Sequence, residues 1–230
     1  MNADEAYGID SLNSAAETEI SGNNVHVATS VGIFAIGNHN SILIEDNIIV
    51  PGPGSVNGGN GILVDGFHDA DYRVTHNTVV CENPFADGII TAGVYFDGTV
   101  GAIIDKNHVI MHNSQFGGMS LYGLVSSGYI GENKIEGDGA FALQVFGFEP
   151  QTTASSIRLQ GNDISHFTSS VADVFFSVDT QDNVLLGHCS SLIDLGVNNR
   201  VTRHAWQSYE RGNKGTRMRA KWRNFKGSWR

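Results

Sequence analysis

Apolar residues along this chain fall into short alternating runs, and the runs themselves recur. The hexad Ile104-Asp105-Lys106-Asn107-His108-Val109 reads apolar, two polar, Asn, any, apolar, and it returns around Asn23, Asn47, Asn77, Asn133 and Asn162. The six asparagines are separated by 24, 30, 30, 26 and 29 residues, inside the window that marks a repeat architecture. A second alternating run opens and closes on glycine at Gly32/Gly37, Gly61/Gly66, Gly93/Gly98 and Gly123/Gly128. Alternation over four or five positions rich in Val, Ile, Phe and Tyr predicts strands, and no heptad or 3.6-residue stripe competes with it before residue 204.

Two such runs and an Asn turn fit one coil of a solenoid with three short strands. Equivalent residues of successive coils then lie about 4.8 Å apart, the spacing of hydrogen-bonded strands. Like stacks on like, so apolar columns fill a narrow core and an inward column of Asn satisfies its amides up and down the stack. Asn also tolerates the left-handed backbone that such a turn needs. The registered copies of Ile/Val/Leu-x-x-Asn-x-Ile/Val resemble the right-handed parallel β-helix family, which includes pectate lyases, polygalacturonases, alginate lyases and epimerases, and phage tail spikes. The resemblance covers residues 20 to 203 and implies an all-β, single-stranded right-handed parallel β-helix, a solenoid of about seven coils with an Asn ladder. His188 falls where a seventh Asn is due, and Asn198 and Asn199 hint at one more coil.

Composition adds boundaries. With 28 Gly, 4 Pro and 17% charged residues among 230, the chain suits one domain with many turns. Residues 1–19 carry neither a basic start nor an apolar run, so they read as neither a secretory signal nor an anchor, and no stretch is long enough to span a bilayer. No amphipathic helix precedes the first coil, which suggests a fragment with an open first edge that invites stacking on another chain. Cys81 and Cys189 lie four coils apart, about 19 Å at the strand spacing, beyond the ~7 Å reach of a disulfide. Charge is split: residues 1–199 hold 4 basic and 23 acidic side chains, a net −19, while residues 200–230 carry 10 basic residues against Glu210, a net +9. The chain divides into a helix domain, 1–203, and a basic aromatic tail, 204–230. In the tail Met218, Trp222, Phe225 and Trp229 share one helical face, which suits either a cover for the last coil or acidic flank, or a contact with an anionic partner.

Insertions in a solenoid project on one side, the usual binding face. Residues 50–60, 81–92 and 112–121 are the long connections, and 147–156 leaves the other end of the same strands. Alternation places Phe34, Leu63, Tyr95, Val125, Gln144 and Phe175 in one outward column, with Ile36, Asp65, Asp97, Ser127, Phe146 and Ser177 beside it. Asp65 and Asp97 then stack on adjacent coils, a carboxylate pair next to an aromatic platform, with Phe34, Tyr95 and Gln144 as substrate contacts. The plainer reading makes both aspartates turn residues of Asp-Gly pairs. His68 and Arg73, in the loop Gly66 to Arg73, supply a general base or a clamp for a carboxylate-bearing sugar. No metal site is assigned; Ca²⁺ needs six to eight oxygens, and only Asp65, Asp97 and one of Asp69 or Asp87 are on offer.

Polygalacturonase, pectate lyase and alginate epimerase signatures are absent from the chain, so no activity transfers residue by residue. Two functions stay open. One is an extracellular or surface carbohydrate-binding or carbohydrate-active protein, a lyase or glycoside hydrolase acting on a neutral glycan, because an acidic shaft repels polyuronates. The other is a non-catalytic structural or adhesive solenoid, such as a tail-spike-like shaft.

Overall fold

A computed structural model describes residues 8–202 except 13, 15, 27–30, 39–40, 52–59, 67–71, 83–85, 94–98, 124 and 148–152. Every strand pair is parallel, and each strand pairs with its counterpart one coil away. An eight-stranded sheet runs from Thr18–Ser21 through Ile42–Glu45, Tyr72–Thr75, Ile103–Asp105, Tyr129–Gly131, Arg158–Gln160 and Val184–Leu186 to Arg200–Thr202. A twelve-stranded sheet has two arms. The first arm stacks Ile9–Leu12, Ile33–Asn38, Ile62–Gly66, Ile89–Gly93 and Gly117–Gly123; the second stacks Asn24–His26, Ile48–Val50, Thr78–Cys81 and His108–Met111. The arms merge because the strands Lys134–Phe146 and Asp163–Phe176 run through both without a break. Four two-residue strands, from Thr99–Val100 to Thr180–Gln181, form a small third sheet. Among the described residues no helix is long and apolar enough to cross a membrane.

The core is a set of columns. Ile44, Val74, Ile104, Ile130 and Leu159 stack in the eight-stranded sheet; Ile33, Ile62, Ile89, Met119, Leu143 and Val174 face them from the first arm, and all are essentially inaccessible. Each buried aliphatic side chain contributes about 1.5–3 kcal/mol of hydrophobic free energy.

Six elbows join the eight-stranded sheet to the second arm. At the first five, the Asn amide Nδ2 donates to the Oδ1 of the Asn one coil on: Asn23 to Asn47, Asn47 to Asn77, Asn77 to Asn107, Asn107 to Asn133 and Asn133 to Asn162, at 2.9–3.1 Å. The same Oδ1 accepts a backbone N–H, as Asn107 does from Asn77 at 3.0 Å, and Nδ2 also reaches carbonyls, as Asn77 does at Ile44 and Thr75. The left-handed residue is not the Asn but the one before it: Gly22, Asp46, His76, Lys106, Glu132 and Gly161 have φ between 54° and 66°. The Asn has to remain extended enough to send its amide inward, so its neighbour takes the turn.

Five full turns separate the first elbow from the sixth, fewer than the about seven coils expected from the sequence. The later passes, Val184–Leu186 and Arg200–Thr202, extend the eight-stranded sheet, but exposed His188 replaces the inward Asn. The amide pairing moves to another corner, where Asn183 Nδ2 donates to Asn199 Oδ1 at 3.1 Å and Asn183 Oδ1 accepts the Ile157 N–H at 2.8 Å. Asn199 thus belongs to this second corner.

The first arm corrects the expected register. Its fourth and fifth strands begin after Gly88 and at Gly117, not at Gly93 and Gly123. Gly32, Gly61, Gly88 and Gly118 form the true column: a Cβ there would stand 2.1–2.6 Å from Ile49, Val79, Val109 and Ile135 of the second arm. Those contacts leave no room for a side chain, which fixes where the first arm can start.

Candidate functional site

On the outer side of the first arm, register places Phe34, Leu63, Ile90, Ser120, Gln144 and Phe175 in one column, with Ile36, Asp65, Ala92, Tyr122 and Phe146 beside it. Asp65 therefore neighbours Ala92, and the expected Asp65–Asp97 stack is not formed by this strand. Gly88-Ile-Ile-Thr-Ala-Gly93 and Gly93-Val-Tyr-Phe-Asp-Gly98 have the same glycine spacing; the first carries the strand Ile89–Gly93, and 94–98 lie outside the described residues. Asp97, Tyr95, His68 and Asp69 lie outside the described residues, and Asp65 is described in its backbone alone. Arg73 is exposed in the eight-stranded sheet, between Leu43 and Ile103, so it does not share a face with the first arm. Phe34 is half-buried in the outward column. Gln144 belongs to that column too, but is almost wholly covered, 5% exposed.

What covers Gln144 is a polar triangle that the sequence does not single out. Asp87 closes the connection before Ile89–Gly93. Its Oδ1 accepts three hydrogen bonds: from Gly117 N at 2.8 Å, Ser120 Oγ at 2.6 Å and Gln144 Nε2 at 3.0 Å. Gln144 Nε2 also donates to Ser120 Oγ at 2.6 Å. Three successive coils are thereby joined at one oxygen. Gly117 makes the convergence possible, since a Cβ there would lie 2.9 Å from Gln144 Nε2, 3.0 Å from Ser120 Oγ and 3.2 Å from Asp87 Oδ1.

Burial pushes the Asp87 carboxyl up to about 6, and the bonds from Ser120, Gly117 and Gln144 offset only part of that. Cys81 donates to the Asp87 carbonyl. Burial first, and then the Asp87 charge, push its thiol up to about 12. It is an inert core thiol, and Cys189 is likewise buried. Asp87, the remaining Ca²⁺ candidate, binds three protein donors, and among the described residues no three His, Cys, Asp or Glu side chains converge as a metal would require.

Two ring pairs flank the triangle. Tyr122 and Phe146 meet edge to face with centroids 4.3 Å apart, both half-buried. Phe141 and Phe175 stack at 5.0 Å over Ala140 and Ala172. Burial raises the Tyr122 phenol to about 12, so it is a hydrogen-bonding hydroxyl and not an acid at neutral pH. Chemically, the face offers half-exposed rings, a phenol, and one carboxylate whose second oxygen, Oδ2, makes no hydrogen bond among the described residues. The missed signal is the residue before the true column glycine: Asp87 precedes Gly88 as Asn60 precedes Gly61, and Asn60 Oδ1 accepts the Asp87 N–H at 2.9 Å.

A family model for a right-handed β-helix region matches residues 7–171. No curated protein matches the chain.

Proposed function

Since the chain belongs to the right-handed β-helix family, we propose that it is a carbohydrate-binding β-helix protein whose ligand lies along the outer side of the first arm. The Tyr122–Phe146 pair carries this reading. Its half-exposed rings stand beside a column that supplies Phe34 at one end and the Asp87–Ser120–Gln144 triangle in the middle. A sugar ring stacks on such aromatic surface while its hydroxyls bond to neighbouring phenol and carboxylate oxygens. A neutral glycan suits the acidic shaft best. An extracellular or surface location accompanies this reading.

Cleavage by a lyase or hydrolase route would assign proton transfer to Asp87, the one described carboxyl on this face with a raised proton affinity. The second reading, a non-catalytic structural or adhesive shaft, is favoured by the use of Asp87 Oδ1 as an internal tie between three coils.

A glycan array with a reducing-end assay separates the two. Tyr122→Ala abolishes glycan retention with an unchanged far-ultraviolet spectrum if the face binds sugar. Equal retention by wild type and variant removes the assignment. Retention without release of reducing ends selects the adhesive protein.

A further inference from the structure

The two sides of an inner coil differ from the last coil in one respect. Ile130 and Leu159 lie between an inward side chain above and another below, and both are fully buried. Val201 stacks on Leu185 alone and is only partly buried, as is Leu192 above Val174. Around them Leu195 is 42% and Val197 58% exposed, although backbone bonds to Phe176 and Thr180 hold both on the preceding coil. Among the described residues the C-terminal end of the core is an apolar surface bounded by the last strand of each sheet, the kind of edge that natural sheets cover or blunt.

We propose that residues 203–230 fold back over this end and cover the last coil. The chain leaves the described solenoid at Thr202, on the strand that ends the eight-stranded sheet among the described residues, so the segment starts at the surface it would cover. Its 28 residues include Trp206, Tyr209, Met218, Trp222, Phe225 and Trp229, enough apolar area for an end cap. Charge favours the same placement. The last two coils, 163–202, hold Asp163, Asp173, Asp179, Asp182 and Asp194 against Arg200, a net −4, whereas residues 203–230 hold nine basic residues against Glu210, a net +8. Opposite charge orients the segment and apolar contact holds it.

All three tryptophans of the chain lie in this segment, so indole emission of the intact protein reports on it alone. With the cover in place, emission is blue-shifted and shielded from acrylamide. The Leu195→Asp/Val197→Asp double variant shifts it to the red and raises quenching, with the β-sheet spectrum retained. Val171→Asp, at an equally exposed apolar position on the flank, leaves emission unchanged. Should the double variant fail to fold, Val197→Ser gives the same comparison at a more tolerant position. Water-like emission in the wild type overturns the proposal, as does an equal response to Val171→Asp. Shielding that disappears on dilution also overturns it, because a second copy would then be the occupant.

Discussion

Asp87 and Asp173 are both carboxylates on the first arm, each 6% exposed, yet they are held in opposite ways. Asp173 distributes its load: Ser169 Oγ donates to Oδ1 at 2.6 Å, while Ser190 N, Ser190 Oγ and Ser191 N donate to Oδ2 at 2.6, 2.6 and 3.0 Å. Burial pushes its carboxyl up, but the bonds from Ser169, Ser190 and Ser191 outweigh that and hold it below the usual range. Asp87 concentrates three donors on one oxygen in the middle of the solenoid, and burial wins. Burial alone therefore does not set proton affinity. What decides it is how many donors reach both oxygens, and how close the group sits to the solvated end of the stack.

The largest test of this contrast is Asp173→Ala. It unpairs two backbone N–H groups and two serine hydroxyls, three of these four donors lying on residues 190–191, and hydrogen bonds to a charged acceptor contribute about 1.5–3 kcal/mol each. A loss of roughly 3 kcal/mol in urea unfolding is expected; a loss under about 1 kcal/mol would mean that water replaces the carboxylate.

Next is the pH dependence, where the two carboxyls act with opposite sign. Asp87 binds its proton more tightly folded than unfolded. Its contribution to stability is therefore greatest below pH 4, falls as pH rises from about 4 to about 6, and is flat above. At about 1.4 kcal/mol per tenfold change in proton affinity, keeping it ionised at pH 8 costs roughly 3 kcal/mol. Asp173 behaves conversely: its stabilisation is present above the unfolded value and is lost as pH falls toward the folded one. Asp87→Asn should remove the decline between pH 4 and 6 and be at least as stable as wild type at pH 8. Urea midpoints at a series of pH values measure this, and a variant that keeps the wild-type decline would assign it to another group.

The smallest effect belongs to Gly117→Ala. The new methyl meets the movable end of Gln144 and the hydroxyl of Ser120, so a cost of about 1 kcal/mol is expected, together with a looser triangle. No change in stability or in the pH profile would show that the convergence on Oδ1 has slack.

The elbows were legible because a buried Asn at a turn is conspicuous and its spacing is nearly constant. The first arm was harder, and the reason lies in the connections between the arms. They shorten from residues 51–61 through 82–88 and 112–116 to none in the continuous strand Lys134–Phe146. Counting forward from an Asn therefore loses the register at that corner. Two glycine pairs with identical spacing around Gly93 then left the wrong strand as attractive as the right one. The triangle followed from that slip: Asp87 and Ser120 come together with Gln144 only in the true register, so the alternation that placed Gln144 outward could not reveal its partners. Asn183 falls outside the repeat because it serves a different corner from the six.

The left-handed elbow residues also set a pitch. Asp46, His76, Lys106 and Glu132 are exposed, and each is followed by an Asn whose amide fastens the turn from inside. The backbone asks of that position only a left-handed conformation, at a cost of about 1 kcal/mol for a residue other than glycine. It places no demand on what the side chain does in water. The solenoid thus carries a graduated rail, one mark per coil at about 4.8 Å, on which acid, imidazole, amine and acid stand in sequence on the solvent side of the stack.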